Sequence, residues 1–148
     1  DLREEIDALN ARIYPRLNNG VYRAGFATTQ AAYEEAFHDV FAMLDELEGR
    51  IGDGRNFLLG DRFTEADVRL FVTLVRFDAA YHGLFKCNLR RISDYPALSA
   101  YQARILAIPG VRDTVSIDHI KRGYYSIKAL NPTGIVPVGP ELPMVLAE

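Results

Sequence analysis

Two tyrosines are the most chemically suggestive residues in this sequence. GVYRAGF, residues 20–26, and GYYS, residues 123–126, each set a tyrosine beside glycine in a polar stretch, where packing alone does not call for an aromatic. A phenol donates and accepts hydrogen bonds, stacks on flat rings, and stays protonated at neutral pH because its ordinary pKa is about 10. Tyr22 precedes a long helical pattern and Tyr124 closes the last one. Both therefore fall at helix ends, where clefts form. On these residues alone two readings stand level: a pocket for an aromatic ligand, or ordinary amphipathic packing.

The other reactive side chains have simpler explanations. GDRFTEADVRLFVTLVRFD, residues 60–78, is among the most apolar runs, yet Asp67, Arg69, Arg76 and Asp78 interrupt it. Thr64 with Asp67 three residues on is the acidic variant of a capping box. The hydroxyl accepts from a free first-turn amide, and the carboxylate reaches back to the amide of Thr64. Asp67 also meets the positive end of the helix dipole, and Phe63 and Val68 are spaced for a hydrophobic staple across the cap. Thr64 and Asp67 are thus a structural N-cap. Arg76 and Asp78, two apart, do not face each other on a helix. Each is expected to pair elsewhere and organise the neighbouring loop. Cys87 is the sole cysteine. It follows the end of a buried helix, which leaves its thiolate without the helix start that activates a nucleophile. It reads as a small core residue. His38, His82 and His119 lie far apart and predict no metal site. No glycine-rich phosphate loop and no GxSxG elbow is present.

The elements that must position these residues are helical. Leu2, Ile6, Leu9, Ile13 and Leu17 recur on one helix face. Pro15 predicts a kink or an early finish near Asn18-Asn19-Gly20, followed by a loop over GVYRAGFA. Thr28 or Thr29 caps a second helix with an apolar face from Tyr33 to Ile51. The run after Thr64 is apolar on nearly every side and predicts a central, buried helix. Pro96 starts another helix, Pro109-Gly110 stops it, and VRDTVSIDHIKRGYY reads as a shorter one. The tail from Ser126 holds four of the seven prolines and is expected to run extended over the surface. A chain of 148 residues suits one domain. Its net charge of −3 offers no basic stripe for nucleic acid or an anionic membrane. One cysteine fits a reducing, cytoplasmic setting. The first residues are already in helical rhythm without an initiator methionine, which suggests a fragment whose upstream part is missing.

LLGDRFTEADVRL resembles the capped core helix of the glutathione transferase C-terminal domain. More selective segments surround it: NNGVYRAGFATTQAAYEEA, LVRFDAAYHGLFKCN, RISDYPAL, and DHIKRGYYS followed by NPTGIVPVGP. In this order they resemble the xi class, the glutathionyl-hydroquinone reductases, over essentially the whole chain. The resemblance implies an all-α, transferase C-terminal-like helical domain over residues 1–118. Residues 119–148 would be a C-terminal extension packing on it, and a thioredoxin-like N-terminal domain would lie upstream. It implies reduction of glutathionyl-hydroquinones with glutathione as co-substrate, through a nucleophilic cysteine in that missing domain; Cys87 does not match its motif. Tyr22 and Tyr124 match the ring-binding tyrosines, Phe26 and Tyr125 would be secondary wall residues, and a homodimer is expected. The chain departs from the family pattern at Gly123, where a histidine usually stands, and runs a residue short before Asn131. Two other classes share this fold: a non-catalytic interaction module, and a conjugating transferase or haloacid-type dehalogenase.

Overall fold

The computed structural model describes residues 1–142. Those residues form α1 (Leu2–Ile13), α2 (Gly20–Gly25), α3 (Gln30–Ile51), α4 (Glu65–Arg76), α5 (Pro96–Leu106) and α6 (Ile117–Tyr125). No strand occurs among the described residues; NFLL contributes an isolated bridge between Phe57 and Gly60. The all-α expectation holds. The last six residues of the expected surface tail, Pro143 to Glu148, lie outside the described part.

Two helices widen before they end, and both widenings matter for the site. Pro15 has no N–H and crowds the carbonyl four residues back. The chain answers by slipping into a π-helical turn over Tyr14–Asn18, closed by the Asn19 amide on the Tyr14 carbonyl at 2.8 Å. Arg23 donates to the freed Pro15 carbonyl and to Asp39, both at 2.9 Å, tying α2 to α3. The predicted loop over GVYRAGFA is therefore corrected: Asn19 is right-handed helical and the chain continues directly into α2. Asn18 is engaged elsewhere, its amide donating to the Arg69 carbonyl and the Thr73 hydroxyl of α4. A second π-helical turn, Phe77–Tyr81, extends α4.

The capping geometry at α4 forms and does more than cap. Asp67 is fully buried. One carboxylate oxygen accepts from the Thr64 amide at 2.8 Å. The other accepts from the Leu58 amide at 2.9 Å and the Tyr101 hydroxyl at 2.7 Å. One side chain thus joins the loop before α4, the start of α4, and α5. Asp78 plays a parallel part, accepting from the amides of Ile92 and Ser93; burial pushes its carboxyl pKa up against the pull of those amides. Glu48 of α3 accepts from the Ala97 and Leu98 amides, which caps α5 from another helix.

Two further expectations, for α4 and for the last helix, are corrected. α4 is not buried all round: Val68 is 45% and Val72 41% exposed. Phe63 rests edge-on against Phe57, with centroids 5.6 Å apart. The last predicted helix is split by an extended Val115, giving a 3₁₀ turn at Arg112–Thr114 and then α6, capped by the Ser116 hydroxyl. After α6 the described tail is irregular. Buried Lys121 donates to the Val138 carbonyl at 2.9 Å and holds the tail against α6.

Candidate functional site

Tyr22 and Tyr124, 102 residues apart in sequence, meet with their hydroxyl oxygens 2.7 Å apart. Tyr22 rides on the short α2 that follows the first π-helical turn, whereas Tyr124 sits in the last turn of α6. A third phenol completes the group. Tyr81, at the end of the second π-helical turn, places its hydroxyl 2.7 Å from that of Tyr124. The three oxygens form a chain running from Tyr81, 2% exposed, to Tyr22, 39% exposed.

An aromatic base holds these rings. Phe85 stacks on Tyr81 at 5.2 Å and meets the edges of Tyr22 and Tyr124 at 5.3 and 5.8 Å. Gly25 permits this arrangement, since a Cβ there would overlap the Phe85 ring. Burial raises the pKa of Tyr81 most, and its hydrogen bond with Tyr124 adds to the effect. Tyr124 is also raised, first by burial and then by the bond to Tyr22, while Tyr81 and Arg76 pull the other way. Both phenols stay protonated at neutral pH.

The phenols open into space. A cavity of about 630 Å³ is lined by Tyr22, Tyr81 and Tyr124 together with Tyr14, Asn18 and Arg76. A second, more apolar cavity of about 750 Å³ runs along the exposed face of α4 beside α6. Val72, Arg76 and Tyr124 line both, so the two meet along these side chains. Gly123 lines the second, and a Cβ there would meet nothing within 4 Å. Among the described residues no cluster of His, Cys, Asp or Glu could hold a metal ion.

The remaining sequence candidates lie around this centre. Phe26 is 47% exposed and touches the group through Phe85, with centroids 5.7 Å apart. Tyr125 turns toward Gly83, where its hydroxyl fills the space a Cβ would need. Neither lines either cavity. Thr64 and Asp67 line neither cavity, and their hydrogen bonds run within the fold. Cys87 is fully buried, and burial pushes its thiol up to about 12. Sequence reasoning missed Tyr81 and Tyr14 and undervalued Arg76. Among the described residues Arg76 does not pair with a neighbouring loop: it donates to the Val72 carbonyl of its own helix and faces both cavities. Residues five apart lie about 140° round an α-helix, so Arg76 and Tyr81 do not read as neighbours. The π-helical turn between them brings both to one cavity. Pro15 was the one legible sign of such a turn, and it marks the other one.

The chain belongs to the glutathione S-transferase C-terminal domain family, whose profile matches residues 30–104. Within that family its resemblance to the xi class is borne out by close relatives. It is 59% identical over 145 residues to glutathionyl-hydroquinone reductase PcpF of Sphingobium chlorophenolicum, covering 97% of this chain and 46% of that protein. The glutathione-bound structure of YqjG, a glutathione transferase homolog from Escherichia coli K-12, superposes with a TM-score of 0.94 at 48% identity; the match covers 97% of this chain and 47% of that one. Glutathione-S-transferase Xi from Phanerochaete chrysosporium gives 0.90 at 48%, over 94% and 47% of the two chains. The chain spans about half the length of the curated relatives it matches. No helix among the described residues is long and apolar enough to cross a membrane.

Proposed function

We propose that this chain is the quinol-binding half of a glutathionyl-hydroquinone reductase. Supporting this reading is the convergence of Tyr22 and Tyr124 on one cavity, at hydrogen-bonding distance from each other, together with the close likeness to proteins bearing that name. The ring would lie in the cavity, its oxygens held by the two hydroxyls. An upstream thioredoxin-like half would supply the nucleophilic cysteine and most of the glutathione site. Its thiolate attacks the thioether sulfur, so that an S–S bond forms and the ring–sulfur bond breaks. For this the sulfur-bearing ring carbon first takes a proton as the quinol shifts to its keto form. The electron pair freed by the break then enters the ring and emerges as a phenolate, which is protonated on oxygen. A second glutathione then releases the enzyme as glutathione disulfide leaves. A phenol donor aimed at those oxygens stabilises the charge while it exists.

The exposed apolar face of α4 is where we place the docking of the upstream half, and the native state would be a cytoplasmic homodimer. This chain alone would be inactive. The test is the full-length protein supplied with a glutathionylated hydroquinone. Free hydroquinone and glutathione disulfide should appear in equal amounts, and only when glutathione is present. Turnover without thiol, or no turnover while the protein conjugates glutathione to an electrophile, would reject the reductase in favour of another transferase.

A further inference from the structure

Charge around the tyrosine cavity is one-sided. Its lining includes no aspartate or glutamate, and neither does that of the adjoining cavity. The charged or titratable groups facing them are Arg69, Arg76, His119 and the tyrosines Tyr14, Tyr22, Tyr81 and Tyr124. Arg69 is already paired with Glu65 at 2.8 Å. Arg76 has no carboxylate partner among the described residues, and one of its N–H groups is engaged with its own Val72 carbonyl at 2.7 Å. A chain whose net charge is −3 therefore keeps an unneutralised guanidinium where two cavities meet.

The hydroxyl chain points the same way. Tyr81 is buried, and its hydroxyl bonds to that of Tyr124 at 2.7 Å, with the Tyr22 hydroxyl acting on it as well. A buried O–H must donate its proton, so Tyr81 donates to Tyr124. Tyr124 then donates to Tyr22, and the Tyr22 proton is left for the cavity. Each bond in such a series strengthens the next. The open end is a reinforced donor that shares its cavity with a guanidinium lacking a carboxylate partner among the described residues, an arrangement that suits an oxyanion better than a neutral hydroxyl.

Resting on the reading of this cavity as a phenol site, we propose that it binds the quinol ring as its phenolate, with Arg76 as counter-ion and Tyr81 as the residue that orients the hydroxyl chain. Substrate preference follows: electron-poor, more acidic hydroquinones are favoured over electron-rich ones of the same size. Arg76 contributes charge, Tyr81 contributes proton direction, and Tyr22 makes the contact.

The probe is 4-nitrophenol, whose anion absorbs visibly, titrated against pH in the presence of the full-length protein. Bound phenol should ionise at lower pH than free phenol, with the anion bound about tenfold or more tightly than the neutral form, the smallest effect expected of a cation within ~4–6 Å. Arg76→Gln should abolish that preference and Arg76→Lys should retain part of it. Tyr81→Phe should reduce it while 4-nitrophenol still binds. Equal affinity for the two forms, or an anion preference unchanged in Arg76→Gln, overturns the proposal but leaves the phenol site standing, provided Tyr22→Phe weakens binding. Failure of 4-nitrophenol to bind, or binding indifferent to Tyr22→Phe, overturns the proposal and the site together.

Discussion

Replacing Asp67 by alanine should cost this domain a large share of its stability, although Asp67 lies outside the reactive cavity. The carboxylate accepts three well-formed hydrogen bonds. Two donors, the Leu58 amide and the Tyr101 hydroxyl, belong to fully buried residues that water cannot reach. Stranding each costs about 1–3 kcal/mol, and losing the cap on α4 adds about 1 kcal/mol. The sum is about 3–7 kcal/mol, against the 5–15 kcal/mol that holds a typical domain together. At about 2–4 °C per kcal/mol for a chain near this length, the melting temperature should fall by roughly 6–28 °C. Asp67→Asn keeps one acceptor for Leu58 and Tyr101 but sets an amide against the Thr64 N–H, so it should cost about half as much. Thr64→Ala should cost only about 0.5 kcal/mol, the low end for a cap, because its hydroxyl lies 3.4 Å from the carboxylate and its amide survives the change. Urea titration followed by helical circular dichroism measures all three. An Asp67→Ala loss below about 1 kcal/mol, or one no larger than that of Thr64→Ala, would refute the three-way role of this side chain.

Other outcomes follow from particular contacts. Gly25→Ala drives a methyl into the Phe85 ring that supports Tyr22 and Tyr81; it should destabilise by about 1–3 kcal/mol and broaden the tyrosine ring signals in NMR spectra. Gly123→Ala meets nothing within 4 Å and should stabilise α6 by up to about 1 kcal/mol, read from the urea midpoint. The buried Cys87 thiol, held up at about 12, gives a pH dependence of definite sign. Below about pH 8.5 the thiol is protonated whether folded or unfolded, and its contribution is complete. As pH rises further, the unfolded chain gains by ionising while the folded one does not, so stability falls toward pH 12. Cys87→Ala should flatten that fall, and native Cys87 should resist thiol reagents until the chain unfolds.

How much of this was legible in the sequence depends on whether a helix keeps its period. Leu9 and Ile13, or Leu98, Tyr101 and Ile105, are buried as their spacing predicts, because they lie on helix faces of ordinary pitch. The Thr64–Asp67 spacing was readable because a cap is a local event. What a cap's second oxygen does is not local: Leu58 and Tyr101 reach Asp67 from 9 and 34 residues away. Tyr22 and Tyr124 stood out only as aromatics in polar, glycine-flanked segments, and their meeting needed the family resemblance. Tyr81 was hidden. Its neighbours in LVRFDAAYHG suggest continuous α-helix, and only the π-helical turn rotates it onto the cavity with Arg76. The same slip at Pro15 turned an expected loop into α2 and so placed Tyr22.

The account is tested most directly by kcat/KM for a glutathionylated hydroquinone with full-length Tyr22→Phe. This phenol is the exposed end of the hydroxyl chain, and its ring contacts with Phe85 and Tyr81 survive the change, so folding should be preserved. Loss of a hydrogen bond to a charged oxygen predicts a fall of roughly 10–100-fold. A wild-type value from a protein that melts normally would contradict the assignment of this cavity to the quinol ring.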